Sequence, residues 1–525
     1  MNRRDALWLA AFVVAGAVLR AHGLSTGLWR DEGSTYFDAT APSLLATLRE
    51  IRVAEINPPG FFLLMRGWLA LAGTSDLTMR LPAFAFGLAV IPATYALGRA
   101  AGSRATGLVA AACAAAGAPG LDLASDARPY TCAAFLGALA TLAAFRVLDA
   151  RPGERLARLG AYVAAAVALE YTTYTGLVLA FGLTLGALAV ALAFARARAN
   201  AFAFVAASAA VALALAPWLL WVRGARAVEA AWLVPMGRGE LPGRILEQVG
   251  FVLPTAFAHV QLSIALLLAF AVALARRRSD PALLAGTVAL VTGLASEAGA
   301  LLREPRYAFA FVPLADALVA LAVVALVRAC AAFASGRERT AGTGFAAALG
   351  IALAVTLVQG AHVQAEAWAQ ALAGPPRSGM RALVAGARAE LGPRTLIVVA
   401  PDYLGPSLGY YLRDEPGSAV VGFANRYRPE HFRCCGAWRR PDLVAAAARD
   451  ILTRSRGFER VALVYEPGAV DRGTVPYGKA LELRRRLDAA LPMLWDRRYP
   501  GSLEATGMTL LAVPAAQSRP SRSST

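Results

Sequence analysis

The chain has 525 residues, 58% of them hydrophobic and 17% charged, with a formal net charge of +17 and a mean hydropathy of +0.52. So little charge over this length excludes an ordinary soluble globular protein and points to a polytopic membrane protein. The basic excess does not read as a nucleic-acid patch: it is nearly all arginine, with Lys479 the only lysine, scattered between apolar runs, and membrane orientation accounts for it.

Taken in order, apolar runs of roughly 16–22 residues recur, the length a hydrocarbon core of about 30 Å asks of a helix. They predict spans over about 6–24, 80–98, 105–121, 129–148, 157–173, 176–195, 201–221, 251–275, 281–301, 307–328 and 342–362, about eleven in all. The first follows Arg3 and Arg4 without a small-residue cleavage site, which reads as a retained anchor. With the N-terminus in the cytoplasm, the short inner loops carry Arg3 and Arg4; Arg99 and Arg104; Arg146, Arg151, Arg155 and Arg158; Arg196 and Arg198; Arg276, Arg277 and Arg278; and Arg328, Arg337 and Arg339. Each is basic, as the positive-inside rule requires. The C-terminal region then falls outside.

The membrane domain is assigned to 1–365. Its long first outer loop, 25–79, is predicted to hold short interfacial helices over 42–49 and 59–71, with Phe61, Phe62 and Trp68 at the lipid boundary. A later outer loop, 222–249, is rich in Gly and Arg and reads as a mobile cover. From about Pro375 the pattern changes. β-Branched runs at Thr395–Ala400, Ser418–Gly422 and Val461–Tyr465 alternate with helical stretches at 378–390, 404–413, 441–454 and 477–491. That alternation predicts an extracytoplasmic α/β domain over 375–516 with a largely parallel sheet, and 517–525 reads as a disordered Ser/Arg/Pro tail.

The polar residues gather on one side. Outer loops supply Asp31, Glu32 and Asn57; then Asp122, Asp126, Arg128 and Tyr130; then Glu170 and Tyr174; and, later, Arg303, Arg306 and Tyr307. Carboxylates, guanidinium groups and phenols at a membrane edge suit a reaction between an anionic lipid-linked donor and an outer-face acceptor. A sugar leaving a polyprenyl phosphate departs from an anion, so the phosphate needs positive charge, which the planar fork of Arg provides. The acceptor loses a proton as the new bond forms, so one carboxylate suffices as base, and Asp31 is the candidate. A hydrolase would need two carboxylates flanking the bond, roughly 5–10 Å apart; adjacent Asp31 and Glu32 diverge and are poorly placed for that. Glu32 is expected to orient a partner or the acceptor.

The strings Leu28-Trp-Arg-Asp-Glu32, Asn57-Pro-Pro-Gly-Phe-Phe-Leu-Leu64, Met79-Arg-Leu-Pro-Ala-Phe-Ala-Phe-Gly-Leu88, Asp126-Ala-Arg-Pro-Tyr130 and Pro305-Arg-Tyr307 resemble the bacterial relatives of the protein O-mannosyltransferases. These include the lipid A aminoarabinose and core galacturonic acid transferases of the GT-C fold. The resemblance covers about 25–320 and implies Asp31 as the catalytic carboxylate with Glu32 beside it. It implies Arg128, Tyr130, Arg306 and Tyr307 at the donor phosphate and sugar; the outer-loop pattern adds Arg303 as a donor contact and Asn57, Asp126 and Tyr174 as supporting candidates. Two departures stand out: Asn57 where relatives often carry His before the Pro pair, and Thr173-Tyr174 where many carry His-Tyr.

The expectation is therefore a multi-pass inverting glycosyltransferase of a bacterial inner membrane. It would move a sugar from a polyprenyl-phosphate donor to an envelope acceptor (lipid, glycan or protein), with membrane lipid around it and no nucleic acid as partner. No cofactor is indicated: His22, His259 and His362 lack ligand spacing, and the five cysteines form no CxxC pair, although a divalent metal stays open. The rivals are a transporter or flippase of lipid-linked sugar, and a non-catalytic relative that binds donor without turnover. A transporter would place charge at the bilayer midplane in inverted repeats with broken helices, and the sequence has neither pattern.

Overall fold

The computed structural model describes residues 2–194, 198–223, 305–334, 372–415, 419–423, 440–467 and 475–514, with positions 365, 368, 369 and 417. Eight of the eleven expected spans fall on these residues; those at 251–275, 281–301 and 342–362 lie outside them, as do the 222–249 loop beyond Arg223 and Arg303.

The membrane part is helical. In chain order it runs α1 (Arg3–Ala21), α2 (Arg30–Thr40), α3 (Leu44–Ala54), α4 (Gly60–Ala72), α5 (Asp76–Ala101), α6 (Arg104–Ala116), α7 (Ala118–Leu123), α8 (Tyr130–Leu148), α9 (Arg155–Glu170), α10 (Thr175–Ala193), α11 (Arg198–Val222) and, after a 3₁₀ segment at Pro305–Phe311, α12 (Val312–Ala334). Among the described residues, six helices are long and apolar enough to cross a membrane. Local chemistry sets their ends. Asn2, Ser75 and Ser103 cap α1, α5 and α6 with their side-chain oxygens. Gly73 closes α4 at φ +78, a backbone angle that glycine adopts without strain.

The third expected span, 105–121, is in fact broken. Helix α6 stops at Ala116 and the chain turns at Gly117 before short α7. Arg20 of α1 explains how a buried helix end is tolerated there: its Nη1 and Nη2 donate to the carbonyls of Ala115 and Ala114, each at 2.7 Å. Helices α5, α8, α9, α10, α11 and α12 enclose an apolar core around Phe145, Tyr162, Phe204 and Phe311. Small residues let them approach closely, as at Gly137, where an added Cβ would lie 2.4 Å from the Ala310 carbonyl oxygen.

The C-terminal domain is a five-stranded sheet of order β2-β1-β3-β5-β4, with β1 Thr395–Ala400, β2 Ala419–Gly422, β3 Arg460–Tyr465, β4 Met493–Tyr499 and β5 Thr506–Ala512. Helices α13 (Met380–Gly386), α14 (Gly405–Leu412), α15 (Leu443–Ser455) and α16 (Val475–Ala490) accompany it. The sheet is mixed: β2, β1 and β3 pair in parallel, while β5 and β4 add an antiparallel hairpin. Strand β4 escapes a hydrophobic reading because it is a half-exposed edge, Met-Leu-Trp-Asp-Arg-Arg-Tyr.

Candidate active site

Asp31 and Glu32 lie on the first turn of helix α2, not in a loop. Successive helical positions point about 100° apart, and the two carboxylates part company. Glu32 turns inward and is 0% exposed. Its Oε1 accepts from Arg80 Nε (2.7 Å) and the Ala127 amide (3.0 Å), and its Oε2 from Arg80 Nη2 (2.5 Å) and the Trp29 amide (3.2 Å). Arg80 in turn donates to the carbonyls of Gly23, Thr26 and Gly27. This fully satisfied pair ties the chain entering α2 to α5 and to the segment before α8. Arg80 was not among the residues singled out by sequence.

Asp31 turns the other way and keeps a quarter of its side chain exposed. Two guanidinium groups flank it: Arg306 Nη1 stands 3.5 Å from Oδ2 and Arg30 Nε 3.9 Å from Oδ1. Both cations lie over the Trp29 ring, at 5.4 and 5.5 Å, and the Trp29 indole N–H donates to Asp126 Oδ1 at 3.1 Å. Trp29 thus places both arginines beside one carboxylate. Burial, with Glu32 close by, pushes the Asp126 carboxyl up to about 6, while Arg377 and the indole hydrogen bond pull it the other way.

Tyr130 and Tyr307 stack beside this group, ring centroids 6.0 Å apart, and Arg306 lies 5.5 Å over Tyr307. The Tyr130 hydroxyl is buried and meets no hydrogen-bond partner among the described residues. A buried hydroxyl without a partner is costly in an apolar site.

Arg128 is placed near Asp31 but is occupied. It is 3% exposed and grips Glu55 with both ends of its fork, Nη1 to Oε1 and Nη2 to Oε2, each at 2.7 Å. Nη1 also reaches the Asp31 carbonyl (3.3 Å) and Thr35 Oγ1 (3.2 Å). Despite burial, which works against it, Glu55 raises the guanidinium above its ordinary value. Asp38 adjoins the pair, its carboxyl pushed well up by burial and then by Glu55. Glu55 and Asp38 give no motif in sequence: Asp38 sits on short α2 and Glu55 directly follows α3 as its C-cap, and nothing in the pattern tells which acid turns inward.

The remaining expectations separate. Asn57 is buried, its Nδ2 has no hydrogen-bond partner among the described residues, and it caps nothing, since α4 starts after Pro59 without a side-chain cap. Tyr174 sits apart in a cluster with Ile51, Phe62, Leu215 and Trp218, its hydroxyl accepting the Trp218 indole N–H at 2.7 Å. Asp122 contributes its carbonyl to Arg377. Among the described residues no three His, Cys, Asp or Glu side chains are arranged to hold a metal ion.

Residues 57–221 match the family model described as dolichyl-phosphate-mannose-protein mannosyltransferase. The fold is similar to that of ArnT from Cupriavidus metallidurans in its apo state (TM-score 0.60, 17% identity, covering 98% of this chain and 99% of that one). It is also similar to ArnT bound to undecaprenyl phosphate (0.56, 16%, 98% and 99%). A third likeness is to the oligosaccharyltransferase AglB from Archaeoglobus fulgidus, solved with an inhibitory peptide and a dolichol-phosphate (0.55, 13%, 95% and 74%). No curated protein sequence matches significantly. The fold is the GT-C fold of membrane glycosyltransferases, and over residues 57–221 the sequence matches a glycosyltransferase family model.

Proposed function

We propose that the chain transfers a sugar from a polyprenyl-phosphate donor to an envelope acceptor at the outer face of a bacterial inner membrane, with inversion. The observation that carries this reading is the approach of Arg306 to Asp31 at 3.5 Å, both part-exposed, beside the Tyr130 hydroxyl, which has no hydrogen-bond partner among the described residues. The donor class is supported by the undecaprenyl phosphate and dolichol-phosphate seen with ArnT and AglB.

In the proposed reaction the acceptor oxygen or nitrogen attacks the anomeric carbon. The bond from that carbon to the phosphate oxygen breaks, and its electron pair stays on the phosphate. Arg306, helped by Arg30, holds the phosphate; Asp31 takes the proton that the acceptor loses. Tyr130 and Tyr307 offer hydroxyl and ring to the sugar. Attack and departure on opposite faces invert the anomeric centre in one displacement, and no second carboxylate is needed. Glu32 supports the site by holding Arg80 and the Trp29 amide. Arg128 reaches the donor only by exchanging Glu55 for phosphate. Arg303, three residues before Arg306 in sequence and outside the described residues, is a further candidate for the donor phosphate.

The test is mass spectrometry of polyprenyl-phosphate sugars and envelope glycans in a deletion strain, complemented with wild type or Asp31→Asn. Wild type is expected to consume one lipid-linked sugar and form one glycan product, and the Asn variant to accumulate the sugar. Full product formation by the Asn variant would refute the reading; movement of the sugar across the membrane without transfer would favour a flippase.

A further inference from the structure

The proposed chemistry uses residues of the membrane part alone, yet the C-terminal domain grips the start of α2. The Arg30 amide, at the first helical position, is one of the donors a helix cannot satisfy internally. It is capped from far along the chain: Glu504 Oε2, in the turn between β4 and β5, accepts it at 2.9 Å. Glu504 is 0% exposed, and its Oε1 accepts the Ser378 hydroxyl at 2.7 Å. Its backbone is fixed as well, with its carbonyl accepting from the Gly379 amide and its amide donating to the Arg377 carbonyl. One residue pair earlier, the Leu28 amide donates to the Tyr411 hydroxyl at 2.6 Å. The Arg30 side chain is held by the same domain, 4.4 Å over the Tyr403 ring and 3.7 Å from Glu466 Oε2, which accepts the Tyr403 hydroxyl at 2.5 Å.

A cap is ordinarily a local Ser, Thr, Asp or Asn and contributes about 0.5–2 kcal/mol. Here the cap is a carboxyl brought in by another domain, and burial pushes it up to about 7 against the pull of Arg30 and the serines. Such a group costs desolvation that a local serine would not. What it adds is direction: it fixes the first turn of α2 relative to the sheet, and Asp31 is the next residue.

We propose that Glu504 is a positioning residue of the active site, through which the C-terminal domain sets the direction of the Asp31 carboxylate by capping the Arg30 amide. The domain is then part of the catalytic unit. This rests on Asp31 as the base.

The test uses the full chain in lipid nanodiscs, with hydrogen exchange read on residues 28–36 and turnover read on the lipid-linked sugar that wild type consumes from its own membrane extract. Glu504→Ala is expected to speed exchange at 30–33 about tenfold and to lower kcat about tenfold, with KM for the donor little changed. Glu504→Gln keeps an oxygen for the Arg30 amide and is expected to retain both properties. Ser378→Ala, the milder variant should alanine at 504 prevent folding, is expected to move both readouts the same way by about threefold. Unchanged exchange in Glu504→Ala and Ser378→Ala, or faster exchange with unaltered kcat, overturns the proposal. A wild type that consumes no lipid-linked sugar overturns the transferase reading, while the exchange difference between alanine and glutamine still decides whether Glu504 positions the helix.

Discussion

Arg306 and Asp31 meet at 3.5 Å with a quarter of each side chain exposed, whereas Arg80 and Glu32, one residue further along α2, meet at 2.5 Å with none. Part-exposed ion pairs contribute roughly 0–1 kcal/mol, so a phosphate or an acceptor can part the first at little cost. Breaking a buried pair strands a charge and costs about 3–5 kcal/mol. Adjacent acids on one helix are therefore suited to opposite tasks, one exchangeable and one fixed.

Removing Arg306 is expected to weaken binding of undecaprenyl phosphate by about 1.5–3 kcal/mol, the range of hydrogen bonds to charged groups. Arg306→Lys should recover only part of this, because an ammonium is a point charge without the planar fork. Native mass spectrometry of the protein in lipid reads the affinity. Wild-type binding by Arg306→Ala would remove Arg306 from the phosphate site.

Glu32→Ala and Asp31→Asn should behave in opposite ways. The first is expected to lower stability by about 3–5 kcal/mol, because Arg80 is left buried and uncompensated; the second to change it by no more than about 0.5 kcal/mol while abolishing transfer. Thermal unfolding in detergent, set beside transfer activity, checks both. A Glu32→Ala protein of wild-type stability that lacked activity would move Glu32 into the chemistry.

For Arg128 and Glu55 the relevant measurement is a double-mutant cycle. Each single alanine leaves one buried charge unpaired, so the double variant should be less damaged than the sum of the singles. The coupling is expected at about 1–3 kcal/mol. If Arg128 instead acts mainly on donor phosphate, Glu55→Ala should improve donor binding and the coupling in stability should be near zero.

The position of the strands β1–β3 and the separation of Asp31 from Glu32 were legible because they follow from hydrophobic period and helix geometry. Asp31, Arg306, Tyr130 and Tyr307 lie together in the fold. What was not legible is partner choice among buried charges. Sequence gives Arg128 equal standing with Arg306 and leaves Arg80 inside a string; only the fold shows that Glu55 occupies Arg128 and Glu32 occupies Arg80. Glu504 was equally hidden, since a cap normally sits beside its helix and this one lies on the β4–β5 turn. Arg30, read only as part of a string, proves to be the second cation at Asp31.

Asp126 predicts a pH dependence. Its carboxyl is raised to about 6 by burial and by Glu32, above an unfolded value of about 3.9. The folded state therefore holds the proton more tightly: the contribution is fully present below about pH 4 and is lost as pH rises through about 6. Asp126→Asn, which keeps an oxygen for the Trp29 indole, should flatten the stability curve between those values by up to roughly 3 kcal/mol. Thermal unfolding at stepped pH reads the slope; an identical slope in wild type and variant would assign the titration elsewhere.

Gly33 tests how tightly the two parts of the molecule must dock. A Cβ there would lie 2.5 and 2.6 Å from the carbonyl carbon and oxygen of Pro406 and 2.7 Å from the Ser407 amide nitrogen. These are backbone atoms, so no rotamer change relieves the clash; α2 and α14 must separate. Gly33→Ala is expected to cost about 1–3 kcal/mol, the range for overpacking, and to open the contact between domains to protease. Gly67, inside α4, has nothing within 4 Å of its added Cβ, so Gly67→Ala should be neutral or stabilise by up to about 1 kcal/mol. The pair separates docking from helix propensity, since both changes favour helix and only one meets a neighbour. Equal melting temperatures and equal proteolysis in the two variants would mean that α2 tolerates a shift away from the C-terminal domain, and Asp31 would then owe its direction to Glu32 and Trp29 alone.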